Sequence, residues 1–158
     1  MPAARVSAGL LLYRRRGENL EVFLAHPGGP FFKNKGDGHW TIPKGEIEKQ
    51  DDLFATALRE FHEEVGILID PKSSFIDLGS IRQKGGKIVH AWAVEGECPA
   101  GHCLKSNTFQ MEWPPKSGKL QSFPEIDRAE FFDMDIARKK IKSTQIPFLE
   151  RLQAVLAS

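Results

Sequence analysis

Glu60, Glu63 and Glu64 crowd into the segment Arg59-Glu60-Phe61-His62-Glu63-Glu64-Val65-Gly66-Ile67. On a helix, with Glu60 as origin, Glu63 falls at about −60° and Glu64 at about +40°, so all three share an arc of roughly 100°. Phe54, Leu58, Phe61 and Val65 gather between about +100° and +160°, on the side that would dock on a core. Three neighbouring carboxylates repel one another, and near a helix carboxyl end the macrodipole adds to the cost. A hard divalent cation repays it, since Mg²⁺ takes oxygen ligands, commonly a few carboxylates with waters and phosphate oxygens. A solvated acidic face, with Arg59 and Glu63 as an i,i+4 pair, would give the same string. The string alone does not choose.

The residues around it do. Gly45 precedes the helix where a bare backbone can bring its carbonyl close to a metal. Lys44 offers a cation for phosphate oxygens, and Arg59 can orient a neighbouring carboxylate through its forked donors. Metal, positioned carboxylates and cations are what phosphoryl chemistry asks of a protein: charge compensation, an activated water and a proton acceptor. The whole pattern runs Gly45-x5-Asp51-x7-Arg59-Glu60-Phe61-x-Glu63-Glu64-x-Gly66-Ile67. It closely resembles the Nudix box, with Asp51 standing where that family has Glu.

The resemblance implies an α/β/α sandwich around a mixed sheet, in a hydrolase dependent on Mg²⁺ or Mn²⁺ that cleaves a nucleoside diphosphate linked to another moiety. It implies metal ligation by Glu63, Glu64 and the Gly45 carbonyl, with Glu60 as a further ligand or as the base that activates water. Arg59 would hold the carboxylates, and Asp51, one methylene shorter than the family's residue, would help less. A further Glu outside the box often completes such sites. Glu112, in a strand-like segment, is the candidate, and an exposed strand charge is its other reading. The Trp-Thr-Ile-Pro-Lys-Gly-Glu lead-in is similar to that of members acting on nucleoside triphosphates or dinucleoside polyphosphates. Nucleotide sugars, RNA 5′ ends and coenzyme derivatives stay open, as do a non-catalytic nucleotide-binding or sensor module and a diphosphate isomerase.

Trp40, Phe31, Phe32 and Trp113 are candidates to stack on a nucleobase, against the commoner role of packing. Arg82, Lys84 and Lys87 flank the Gly85-Gly86 turn and are candidates for a polyphosphate tail, against a solvated hairpin tip. His90 reads as structural, and Arg138-Lys139-Lys140 with Lys142 as the wet face of a helix.

These residues need a scaffold. Residues 5–15 read as a buried strand, with a turn at Gly17-Glu18-Asn19 and a hairpin partner at 20–25. Residues 26–38 read as a long loop and 39–42 as a short strand stopped by Pro43. Apolar spacing predicts the acidic helix over 51–65, with Asp51 as N-cap and Gly66 as its end. Apolar segments at 75–81, 87–94 and 108–113 follow, the last two strand-like. Helices are expected over 133–141 and 146–156. The sum is one α/β domain over 1–158.

The chain carries 22 Lys+Arg against 21 Asp+Glu, a net charge of +1. That near-balance excludes a broad basic surface for an extended nucleic acid and leaves local charge open. Composition is ordinary for a globular protein. No stretch approaches the roughly 20 apolar residues of a membrane span, and the charge order at the amino end is not that of a signal peptide. Cys98, Cys103 and His102 fall short of a zinc site and read as free thiols beside a histidine in a reducing cytoplasm. A small nucleotide is the expected partner of a cytoplasmic monomer or homodimer.

Overall fold

The computed structural model describes residues 5–48, 51–99 and 106–158. In chain order its elements are β1 (Val6–Arg16), β2 (Asn19–Pro27), β3 (Lys44–Glu46), α1 (Leu53–Val65), β4 (Phe75–Arg82) and β5 (Ile88–Glu95). They continue with β6 (Thr108–Glu112), β7 (Leu120–Pro124), β8 (Ile126–Asp133), α2 (Met134–Lys140) and α3 (Ile146–Ala157).

The apolar run in β1 is explained by its place. Ala8, Leu10, Leu11 and Leu12 are fully buried, as expected of a strand covered on both faces. It pairs parallel with β5 and antiparallel with β2 and β3, in a sheet ordered β4-β5-β1-β2-β8 with β3 beside β1. Alternate residues of β1 serve opposite layers. Leu11 and Tyr13 pack with Ala137, Phe148, Leu149 and Leu152 of α2 and α3. Ala8, Leu10 and Leu12 pack with Ala57, Phe61 and Val65 of α1. This is a mixed central sheet with flanking helices, as the resemblance implies. Truncating Phe61, which has no exposed surface, would cost about 3–5 kcal/mol in lost transfer and cavity energy.

Three departures from the sequence reading matter for the site. Residues 39–42 make only isolated bridges, Trp40 to Ile141 and Thr41 to Ala25. The strand begins just beyond, at Lys44, because Gly9 lets this segment lie against β1. A Cβ on Gly9 would come within 2.8 Å of the Pro43 carbonyl oxygen. The strands β7 and β8 were not expected. In β8, which pairs only with β2 in the sheet order, exposed Asp127, Arg128 and Glu130 alternate with half-buried Ala129 and Phe131. Charged residues blunt such an edge and dilute the apolar pattern. Finally, the N-cap of α1 is Asp52 and not Asp51.

Candidate active site

The box helix is set at both ends by its own sequence. The Asp52 carboxylate accepts from the Ala55 N–H at 2.9 Å, satisfying a donor that has no partner within the helix. Gly66 ends it at φ 75°, donating its N–H to the His62 carbonyl at 2.8 Å, in the left-handed conformation that glycine adopts without penalty. Between the caps the buried residues are Thr56, Ala57, Phe61, Glu64 and Val65. Glu64 is therefore on the buried stripe, 9% exposed, and Phe54 and Leu58 are only half-buried beside it. The expectation of a carboxylate face opposite an apolar face needs correcting. Small Ala57 lets the helix approach the sheet, and that draws Glu64 into the seam.

β3 closes against this seam. The Lys44 N–H donates to Glu64 Oε2 at 3.2 Å. Burial, and then the charge of Glu60, push the Glu64 carboxyl up to about 8 against the Lys44 contacts, because desolvation disfavours the charged form. Burial and the charge of Glu63 also raise Glu60. Gly45 leaves the space Glu60 uses: a Cβ there would lie 2.0 Å from Glu60 Cδ and 2.2 Å from its Oε2. Arg59 ties the acidic groups together. Its Nη1 is 3.3 Å from Glu60 Oε1 and 3.5 Å from Glu63 Oε1, and its Nη2 is 3.9 Å from Asp51 Oδ2.

Among the described residues, no group of three or more His, Cys, Asp or Glu side chains is arranged to hold a metal ion as it stands. Arg59 Nη1, bonded toward both Glu60 and Glu63, meets part of the charge. The donor chemistry nevertheless fits a hard cation. Glu64 is a buried carboxylate with a backbone donor as its hydrogen-bond partner, and Glu60 fills a cradle that any side chain on residue 45 would take. Oxygen donors on this scale are what Mg²⁺ accepts.

Beyond the helix, the structure sorts the other candidates. Burial pulls the Lys44 ammonium below the ordinary lysine range, with Glu64 opposing and Lys142 and Lys87 adding to the fall. Lys84, Lys87 and Lys142 line one cavity of about 270 Å³ with Ser143 and Thr144. Arg82, exposed at the end of β4, is not among the residues lining it. Trp40 is corrected from a substrate contact to a core residue. It is 2% exposed, edge-on to His26 and Phe132, and presents no face to a base. Phe31 and Trp113 meet edge to face at 5.5 Å, whereas Phe32 lies near His39. His90 is held between Ser80 Oγ at 2.9 Å and Asp77 Oδ1 at 2.7 Å, a structural setting. Cys98 is a free, half-buried thiol; Cys103 and His102 lie outside the described residues.

Glu112 is exposed at the end of β6, opposite Leu120. Glu125 acts on both Glu60 and Glu64. It stands just before β8, with its N–H bonded to the Asn107 carbonyl and its carbonyl to the Gly28 N–H, each at 2.8 Å. Finding it from sequence required recognising β8 as a strand, and the only local signal is Pro124-Glu125 before a weak alternation.

The family signature described as the NUDIX domain matches residues 3–152. The chain belongs to the Nudix family. Over 61 residues it is 34% identical to the Caenorhabditis elegans bis(5′-nucleosyl)-tetraphosphatase (asymmetrical), a match spanning 39% of this chain and 40% of that protein. A C. elegans Ap4A hydrolase binary complex superposes with TM-score 0.69 at 21% identity, covering 96% of this chain and 98% of that one. The NUDIX domain of Shewanella oneidensis NrtR complexed with ADP ribose gives 0.68 at 15% identity, covering 99% and 90%. No helix among the described residues is long and apolar enough to cross a membrane.

Proposed function

We propose that this protein is a metal-dependent pyrophosphohydrolase that cleaves a nucleoside diphosphate linked to another moiety, with a dinucleoside polyphosphate or nucleoside triphosphate as substrate. The observation carrying this reading is the seating of Glu60 against Gly45 beside buried Glu64, with Arg59 bridging Glu60 and Glu63. The likeness to a tetraphosphatase over 61 residues supports hydrolysis of a phosphoric anhydride. Glu63, Glu64 and the Gly45 carbonyl would hold a divalent ion, Mg²⁺ or Mn²⁺, with the Glu60 carboxylate beside it. Such an ion neutralises phosphate oxygens and makes a bound water a better nucleophile.

The chain's own groups divide the remaining work. Glu60, whose proton affinity burial and Glu63 raise, takes the proton of the attacking water at its carboxylate, since a base works best with a pKa near the working pH. Arg59 fixes the carboxylates through its fork. Lys44, with Lys84 and Lys87, binds the anionic chain of the substrate by charge-assisted hydrogen bonds. Glu125, just before β8, adds negative charge beside the same carboxylates.

The test is hydrolysis of a panel of dinucleoside polyphosphates, nucleoside triphosphates, nucleotide sugars and capped RNA ends, with Mg²⁺ and with chelator. Products would be separated by chromatography and the attacked phosphorus located with ¹⁸O-water. Expected is metal-dependent cleavage of a phosphoanhydride that favours the polyphosphates. Absence of turnover on the whole panel by folded protein would overturn the reading. A second reading is a nucleotide-binding module without turnover, favoured by the likeness of fold to the NrtR domain bound to ADP ribose. Under that reading Glu63→Gln would leave binding unchanged.

A further inference from the structure

We propose that the cleft between the loop after β2 and the β6–β7 hairpin is a base pocket, with Trp113 as its stacking platform. The inference rests on the reading above, and it places the nucleobase of the substrate whose phosphates lie over the carboxylates. The cleft encloses about 540 Å³, within the few hundred to about a thousand Å³ typical of small-molecule sites. Its apolar walls are Pro30, Trp113, Phe123 and Pro124, and Lys33 stands at its edge. Aromatic and proline faces accept a flat ring from any base by stacking. Gln121 also lines it, and its amide nitrogen donates to the Trp113 carbonyl at 2.8 Å, leaving Oε1 as an acceptor for an exocyclic amino group.

The walls are preformed. Loop and hairpin touch so closely that a Cβ on Gly28 would lie 2.0 Å from the Pro124 oxygen, and one on Gly29 2.8 Å from the Phe109 ring. His26 ties the loop to β8, with Nδ1 2.7 Å from Asp127 Oδ1, in the lining of the cleft, and Nε2 hydrogen-bonded to the Lys35 carbonyl. A pocket that is already built loses little on binding. Its position settles what it serves. Pro124, in its wall, is followed directly by Glu125, whose charge reaches Glu60 and Glu64. A second cavity is lined by Lys84, Lys87 and Lys142, of which Lys87 and Lys142 act on Lys44 beside Glu64; it has no aromatic lining and suits phosphate. Base and phosphates thus have separate ends of one site.

The test needs neither metal nor turnover, so it stands or falls apart from the hydrolase reading. The four common nucleoside 5′-monophosphates and ribose 5-phosphate are titrated into ¹⁵N-labelled protein in chelator, with saturation transfer to the ligand protons. Expected are amide shifts centred on residues 113, 121 and 123, saturation of base protons by at least one nucleotide, and neither effect from ribose 5-phosphate. Trp113→Ala should weaken that nucleotide about ten- to hundredfold, and Trp113→Phe should restore most of the binding. Shift mapping on the unaltered protein remains decisive if Trp113→Ala fails to fold. Base-dependent shifts confined to residues 84–87 and 142–144, no base-dependent binding from any of the four, or equal affinity in a folded Trp113→Ala would each overturn the proposal.

Discussion

Replacing Glu64 by glutamine should stabilise the metal-free protein while removing much of the stabilisation that Mg²⁺ gives it. In the unfolded chain this carboxyl ionises near the ordinary 4.5; in the fold, burial and the charge of Glu60 hold it at about 8. Below the lower value both states are protonated, and Glu64 has no pH-dependent effect. Between the two values the folded state binds more protons, so stability falls as pH rises, by up to about 1.4 kcal/mol per unit. Above the higher value the loss is complete. At a pH of about 7.5 the window crossed is roughly three units, an upper bound of about 4 kcal/mol. Water entry and reorientation around a charge at the edge of the seam reduce that to about 2 kcal/mol. Glutamine keeps an acceptor for the Lys44 N–H, which Glu64 now receives at 3.2 Å, and carries no charge to bury. For a chain of this size the gain corresponds to a rise in Tm of roughly 4–8 °C. The assay is thermal and urea unfolding of both proteins from about pH 5 to 9 in chelator, repeated in excess Mg²⁺. The wild type should lose stability across this range in chelator and recover it with Mg²⁺, since a ligand that binds only the folded state stabilises it. Glu64→Gln should keep only the shallower slope that the raised Glu60 carboxyl contributes, and should gain much less from the metal. Equal pH slopes for the two proteins, or a metal-free variant no more stable than wild type at about pH 8, would refute the reasoning.

Other changes separate the parts of the site. Gly45→Ala puts a methyl 2.0 Å from Glu60 Cδ and should lower kcat about a hundredfold or more while the protein stays folded, as steady-state kinetics with circular dichroism will show. Lys87→Ala with Lys142→Ala removes two of the three lysines that line the basic cavity; KM for polyphosphates should rise about tenfold with kcat little changed, and the salt dependence of KM should weaken. Arg59→Lys cannot span Glu60, Glu63 and Asp51 with one planar fork, and should cost about tenfold in kcat without loss of fold. Asp52→Ala removes the helix cap and should cost about 1 kcal/mol in urea unfolding.

The scaffold was legible where local chemistry and tertiary context agree. The run of leucines in β1 had to be covered on both faces, and Gly66 had to end α1 once a left-handed residue was needed there. Spacing likewise brought Glu60, Glu63, Glu64 and Arg59 together within about one and a half turns of helix. What could not be read was set by packing between distant segments. The 3.6-residue period gave the relative angles of the three glutamates, but which angle faces the sheet depends on Ala57 meeting β1, and this buried Glu64. Trp40 in sequence is an aromatic in a glycine-rich loop. Only pairing with Ile141 and contact with His26 and Phe132 make it core. Glu125 was hidden because β8 mixes charges into its alternation, and its nearness to Glu60 comes through pairing with β2, about a hundred residues away in sequence.

We propose that these carboxylates form the centre of a metal-dependent anhydride hydrolase. The most direct measurement is the initial rate of diadenosine tetraphosphate hydrolysis as Mg²⁺ is titrated into the wild type and into Glu60→Gln, with folding monitored in parallel. The expected rate is absent in chelator, saturates with Mg²⁺ and falls by at least about a hundredfold in the variant. Folded wild-type protein that binds the nucleotide and never cleaves it, or a variant as fast as wild type, would contradict this proposal.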